Sequence, residues 1–127
     1  MKLLMLDENF SSGQVEDKEK ALFYQIHRVI VEQQLFLDPN FSRNQVIKIG
    51  LINKNKVAKL VRKYTGTNLN GYINSLRLEY AFRWMKEHPD APIKAVALSC
   101  GYSNVRTFYR QFMNRCGQTP TQSKEKP

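Results

Sequence analysis

Residues 97–120 read ALSCGYSNVRTFYRQFMNRCGQTP, and the organisation of the whole chain follows from this stretch. A short apolar helix is expected to end at Cys100, with Gly101 making a tight turn. Ser103 is the expected cap of the next helix, because a serine hydroxyl accepts an orphan N–H of the first turn. Phe108 and Phe112 stand one helical turn apart and share a face suited to a core. Arg106, Tyr109, Arg110 and Met113 follow the i, i+3, i+4, i+7 spacing on another side. An amphipathic hairpin with a solvated basic face would show the same spacing. A helix, a glycine turn and a second helix with arginines near its start is also the layout of a helix-turn-helix. In that motif the second helix enters the DNA major groove and its first residues touch base edges.

Working outward, the same layout recurs about fifty residues upstream. Ser42 and Gln45 have the spacing of a capping box, with Phe41 and Val46 where a hydrophobic staple would sit. A short helix is expected from about Arg43 to Gly50, and Asn53 caps a second helix to about Tyr64. Val57, Leu60, Val61 and Tyr64 form its apolar side; Asn55, Lys56, Lys59, Arg62 and Lys63 lie opposite. The two units share their endings, YTGTN at 64–68 and RCGQT at 115–119, each with Gly where a helix C-cap favours a left-handed residue. Between them a long helix is expected over about 69–87. Ile73, Leu76, Tyr80 and Trp84 mark one apolar side of it, and Leu78, Phe82 and Met85 another, as in a strut packed on two sides. Pro89 stops it, and Pro92 suits the first position of the next helix.

The N-terminal part differs in character. Residues 7–16 read as a flexible lead-in, and a first helix is expected over about 17–36, ended by Asp38-Pro39. Its apolar stripe is Leu22, Ile26, Val29 and Phe36, with Phe23 and Ile30 beside it. Residues 1–41 carry 4 basic and 7 acidic side chains, a balance of −3; residues 42–127 carry 16 and 4, a balance of +12. An excess of that size is an electrostatic footprint for a polyanion. Two cysteines, Cys100 and Cys116, are too few for a disulfide scaffold and read as buried thiols in a reducing cytosol. No run approaches the length of a membrane span, so the expected protein is soluble and cytoplasmic, with no membrane partner.

Three segments, in order and at matching spacing, resemble the DNA-binding domain of the AraC-type transcription regulators. PIKAVALSCGYSNVRTFYRQFMNRCGQTP is similar to that family's signature over nearly its whole length. GYINSLRLEYAFRWM at 71–85 resembles its linker helix, including Arg77-Leu78 and Ala81, and VAKLVRKYTG at 57–66 resembles the end of its first recognition helix. The resemblance covers roughly residues 42–120 and implies an all-α fold. Two helix-turn-helix subdomains are joined by a long linker helix and preceded by one N-terminal helix. The implied division is 1–41, lead-in and helix, and 42–127, double helix-turn-helix domain. The implied function is sequence-specific binding of double-stranded DNA, with both recognition helices in successive major grooves. Carried over by position, Val105, Arg106, Tyr109 and Arg110 face bases in the second unit, and Asn55, Lys56 and Lys59 in the first. Lys54 and Thr107 are the implied phosphate contacts, and Lys63, on the basic side of its helix, is expected to touch phosphate as well. RNA polymerase is a further implied partner; no cofactor is implied. Most such regulators carry a sensing domain, and residues 1–41 are too few for one. The chain reads as a free-standing small regulator or as the output piece of a longer protein.

Three departures from the family pattern carry expectations of their own. Ile47 stands where the family has a small Ala, and Gly50-Leu51 where it has Leu then Gly, which predicts a displaced first turn. Ala58 stands where a polar side chain is common, so the second unit should dominate. Ser123 stands where the last helix has an aromatic residue, which predicts a frayed end. The competing reading is a protein-interaction module or antagonist on the same fold, without base readout; the basic recognition faces argue against it. RNA is disfavoured because the aromatics sit at core-periodic positions, with no stacking platform. An enzyme is not expected. His27 and His88 are isolated, no Cys/His spacing suits zinc, and the acidic residues of the basic region, Glu79, Glu87, Asp90 and Glu125, form no catalytic pair.

Overall fold

Every regular element is helical in this computed structural model, which describes residues 11–125. In chain order they are α1 (Ser11–Glu32), a 3-10 turn (Leu35–Leu37), α2 (Arg43–Gly50), α3 (Lys54–Thr65), α4 (Leu69–Glu87), α5 (Ile93–Ser99), α6 (Val105–Cys116) and α7 (Pro120–Glu125). This is the expected all-α order: a leading helix, a helical pair, a long helix and a second pair. The chain packs as two compact units. The first holds α1, α2, α3 and the start of α4 through Tyr72; the second holds residues 36–41, α4 from Ile73, and α5 to α7.

In the first unit α1 differs from its expected form at both ends. Residues 11–16 are helical where a flexible lead-in was expected; residues 7–10 of that expectation lie outside the described residues. The helix stops at Glu32 rather than near Phe36, because Gln34 turns left-handed at φ 53°. Its buried stripe is Phe23, Ile26 and Ile30, while Leu22 and Val29 are only half-buried. The buried face is thus turned from the expected one, toward the aromatic partners of Phe23: Tyr64 stacks on its ring at 5.5 Å and Tyr72 lies at 5.8 Å. Phe23, Ile26 and Ile30 converge with Val46, Val57, Leu60, Val61 and Tyr72 in one apolar core. His27 Nδ1 and the Tyr72 hydroxyl hydrogen-bond at 2.7 Å across it.

The turn between α2 and α3 keeps its place despite the Gly50-Leu51 order. Leu51 itself takes the left-handed conformation, φ 55°, and its N–H donates to the Ile47 carbonyl at 2.8 Å. A non-glycine residue in that region is disfavoured by about 1–2 kcal/mol. Leu51 is 88% exposed, so no packing offsets that cost. Gly50 serves another purpose: a Cβ there would lie 2.8 Å from Ile26 Cδ1, so the missing side chain lets the end of α2 approach α1.

The second unit buries Leu78, Ala81 and Met85 of α4 with Val96, Ala97, Cys100, Tyr102, Phe108 and Phe112. Its ring contacts run in series: Tyr102–Phe108 at 5.1 Å, Phe108–Phe112 at 5.6 Å and Phe112–Phe82 at 5.3 Å. Cys100 is fully buried, and burial pushes its thiol up to about 12; Cys116 is half-buried, and both thiols are free. The α5–α6 turn is built on Gly101 at φ 97°. A Cβ there would meet the Phe36 carbonyl oxygen at 2.6 Å and Arg77 Nε at 2.8 Å. Arg77 fills this corner, with Nε donating to the Phe36 carbonyl at 2.7 Å and Nη2 to the Asp38 carbonyl at 3.0 Å.

The last helix is formed and capped rather than frayed. Gln122 Oε1 accepts the Thr119 N–H at 2.9 Å, and Thr119 Oγ1 accepts the Gln122 N–H at 3.1 Å, a reciprocal capping box. Pro120 is buried at the first helical position, where its missing N–H is harmless. Lys124 Nζ donates to the Ala91 carbonyl at 2.6 Å. These bonds replace the aromatic anchor absent at Ser123.

Candidate nucleic-acid interface

Each second helix of the two pairs is started and stopped by the same devices. Asn53 Oδ1 accepts the Lys56 N–H at 2.9 Å at the start of α3, and Gly66 closes that helix at φ 79°. Asn104 Oδ1 accepts the Thr107 N–H at 2.9 Å at the start of α6, and Gly117 closes it at φ 75°. The α6 cap is therefore Asn104, one residue beyond the expected Ser103. Asn is as good a cap as Ser, and the left-handed Gly101 leaves one more residue before the helix begins. In the first pair Gln45 Oε1 accepts both the Ser42 N–H at 2.8 Å and the Ser42 hydroxyl at 2.6 Å, which fixes the start of α2.

Equal caps make the two helices comparable residue by residue, counting from Asn53 and Asn104. Asn55 then matches Arg106, Ala58 matches Tyr109, Lys59 matches Arg110 and Arg62 matches Met113. These positions fall on one helical face at about 100° per residue. In α3, Asn55, Ala58, Lys59 and Arg62 are all exposed, as is Lys54 in the first turn. In α6, Arg106 and Arg110 are exposed, and Met113 is 40% exposed. Among the described residues, no hydrogen bond or ion pair engages the Arg106, Arg110, Lys59 or Arg62 side chains. Their charges are open to solvent.

The other expected contact residues are more committed. Val105 is half-buried against the second core. Thr107 is half-buried, and the Tyr109 hydroxyl hydrogen-bonds Thr121 Oγ1 at 2.7 Å, which ties α6 to α7. The side of α6 facing α4 is held by Asn74, whose Nδ2 donates to Gln111 Oε1 at 3.0 Å and whose Oδ1 accepts the Tyr102 hydroxyl. Aromatic packing and this amide bond together fix which way the arginines point.

Lys56 and Lys63 lie at the edge of the α3 face beside α1, and carboxylates meet them there. Glu19 bonds Lys56 Nζ through Oε2 and Lys63 Nζ through Oε1, the latter at 3.2 Å; Glu16 stands 3.9 Å from Lys63 Nζ. The Tyr64 hydroxyl donates to the Glu16 carbonyl at 3.4 Å. The hydrogen bonds from Lys56 and then Lys63 hold the Glu19 carboxyl below its usual range, and the same bond from Glu19 raises Lys63. Sequence spacing placed both lysines on the basic side of α3 without revealing this partner, because Glu19 is far away in the chain. Arg62 was not among the expected contacts, although its i+7 relation to Asn55 marks it as a member of the same face.

Among the described residues, no group of three or more His, Cys, Asp or Glu side chains is arranged to hold a metal ion. No helix there is long and apolar enough to cross a membrane.

Residues 51–126 match a protein family described as a helix-turn-helix domain. The chain is 29% identical over 112 residues to YijO, an uncharacterised helix-turn-helix-type transcriptional regulator of Escherichia coli, covering 88% of this chain and 38% of that protein. It is 30% identical over 91 residues to YesN, an uncharacterised transcriptional regulatory protein of Bacillus subtilis, covering 70% of this chain and 25% of that one. It thus spans well under half the length of either relative. Its fold is similar to a transcriptional regulator from Chromobacterium violaceum with an AraC-type DNA-binding domain, at TM-score 0.70 and 18% identity, covering 87% of this chain and 97% of that structure. With the capped recognition-type helices and the open arginines, these likenesses place the chain in the AraC-type helix-turn-helix family of DNA-binding transcription regulators.

Proposed function

We propose that α3 and α6 are the recognition helices of a sequence-specific double-stranded DNA-binding module, each entering a major groove. The observation that carries this reading is the pair of open arginines, Arg106 and Arg110, on a helix face whose reverse side is locked into a core. An arginine fork meets guanine O6 and N7 together, so these two side chains are the proposed base readers. In the first unit Asn55, Lys59 and Arg62 are proposed at the groove. Lys54 and Thr107, in the first turns of the two helices, are proposed at phosphates, with Val105 and Tyr109 packing alongside. The target would then hold two sub-sites about one helical turn, or ~10 base pairs, apart. Contact with RNA polymerase and control by a sensing domain would complete such a regulator.

Selection of bound sites from random duplex DNA, followed by a salt titration on the selected site, tests the proposal. With roughly five to eight phosphate contacts the log–log slope should be on the order of −5 to −7. A slope near zero, or no enriched site, would favour an interaction module without base readout.

A further inference from the structure

We infer that Glu19, assisted by Glu16, is a positioning residue that withholds Lys56 and Lys63 from DNA, so that α1 sets how much of the first recognition helix is open to phosphate. The inference rests on the reading that α3 faces DNA, and it adds a residue outside both helix-turn-helix pairs to the determinants of binding.

Three observations carry it. Glu16 and Glu19 stand one turn apart on α1, and both carboxylates reach lysines of α3. Glu19 is the more enclosed carboxylate, with 23% of its side chain exposed against 70% for Glu16, and it holds both ammonium groups at once. The contact is also selective. Lys54, Lys59 and Arg62 on the same helix meet no carboxylate among the described residues, so the acidic helix neutralises one edge and leaves the centre charged.

The second unit supplies the third observation. The residues of α6 that match Lys56 and Lys63, counted from the caps, are Thr107 and Asn114. Both are uncharged. The edge beside the proposed reading face is therefore neutral in both units, by composition in α6 and by ion pairing in α3. A lysine whose charge is already met by a carboxylate adds no net charge toward phosphate, and it contributes little to the counterion release that drives binding. Phosphate and Glu19 offer the ammonium group the same kind of oxygen acceptor, so the two compete directly.

The experiment compares the full chain with E19Q, using a duplex selected as above and a dissociation constant measured across a salt series. E19Q should bind more tightly, roughly five- to fifty-fold at about 0.1 M salt, with the slope steeper by about 1–2. E19D, which keeps the charge, should return the slope toward that of the parent. K56Q/K63Q should change the slope little in the parent and abolish the gain in E19Q. Unchanged or weaker binding by E19Q, at an unchanged melting temperature, would overturn the inference and leave Glu19 with a structural role. If E19Q fails to fold, K56Q/K63Q in the parent decides alone: a slope flatter by about 1–2 would show both lysines already on phosphate and overturn it. A parent chain that binds no duplex defeats the proposed function itself, and this inference with it. A parent that binds while E19Q behaves identically defeats only the inference.

Discussion

The two helix-turn-helix units share one plan and meet its demands differently. Both need a left-handed residue between their helices. The second supplies Gly101, three residues before its cap; the first supplies Leu51, two residues before its cap, and carries the strain of a side chain there. Both expose a recognition-type helix. The second carries three arginines on α6, none in an ion pair among the described residues, whereas the first carries five cations on α3 and has two of them met by glutamates of α1. A shared layout therefore does not imply shared energetics. The second unit combines a glycine turn with open arginines, the proposed readers, and the first combines a strained turn with lysines paired to α1, the proposed adjustment of its charge.

The sharpest way to break this comparison is at the turns. Gly101→Ala forces a side chain into a left-handed backbone and onto the Phe36 carbonyl, and should destabilise the fold by about 2–4 kcal/mol. Gly50→Ala keeps an ordinary backbone and meets side-chain atoms that can shift, Ile26 Cδ1 at 2.8 Å and Ile52 Cγ1 at 3.3 Å, and should stay within about 1 kcal/mol of the parent. Thermal denaturation of the two variants reads the difference, and equal losses would mean that the two turns are equally constrained. Readout comes next. Arg110→Ala should weaken binding to the selected site by about 1–3 kcal/mol and relax one or two base positions. Lys59→Ala, its counterpart in α3, should raise Kd only about three- to tenfold, much as loss of a single phosphate contact would. The reverse order would make the first unit dominant.

The caps should prove equivalent. Asn53→Ala and Asn104→Ala each remove one side-chain acceptor and should cost about 1 kcal/mol. Urea unfolding checks this, and a marked inequality would point to unequal contributions of α3 and α6 to stability. The smallest effect has the opposite sign. Leu51→Gly relieves about 1–2 kcal/mol of left-handed strain, loses part of that to backbone entropy, and should raise stability by about 0.5–1 kcal/mol. A loss instead would show that exposed Leu51 makes a contact worth more than its strain.

What could be read from the chain was what is decided locally. Asn53, Gly66 and Gly117 act on backbone groups within a turn of themselves, so their roles were legible, as were Phe108 and Phe112 from their spacing. Thr119 and Gln122 are just as local, a capping box spelled out in the sequence that holds the last helix without an aromatic residue at Ser123. Leu51 was harder, because nothing about leucine announces a left-handed backbone; only the closure of the turn imposes it. The Glu19 contacts lay beyond local reading. They depend on how α1 is rotated, and that rotation is set by Phe23 meeting Tyr64 and Tyr72 rather than by the stripe of Leu22, Ile26 and Val29.

The carbonyls held by Arg77 belong to residues that precede the first helix-turn-helix, while Arg77 itself follows it. The chain therefore passes from the first unit to the second at residue 36, back at residue 42, and across again after Tyr72. Neither unit is a continuous segment, and no single cut separates them. A fragment trimmed to residues 42–127 would leave the Arg77 guanidinium without its two acceptors and open the wall against which Gly101 is fitted. A ribosome releasing this chain would likewise have to finish α4 before residues 36–41 found their partner. Six residues between α1 and α2 thus act as a stitch, sewing the assembly of the second unit to the synthesis of the first.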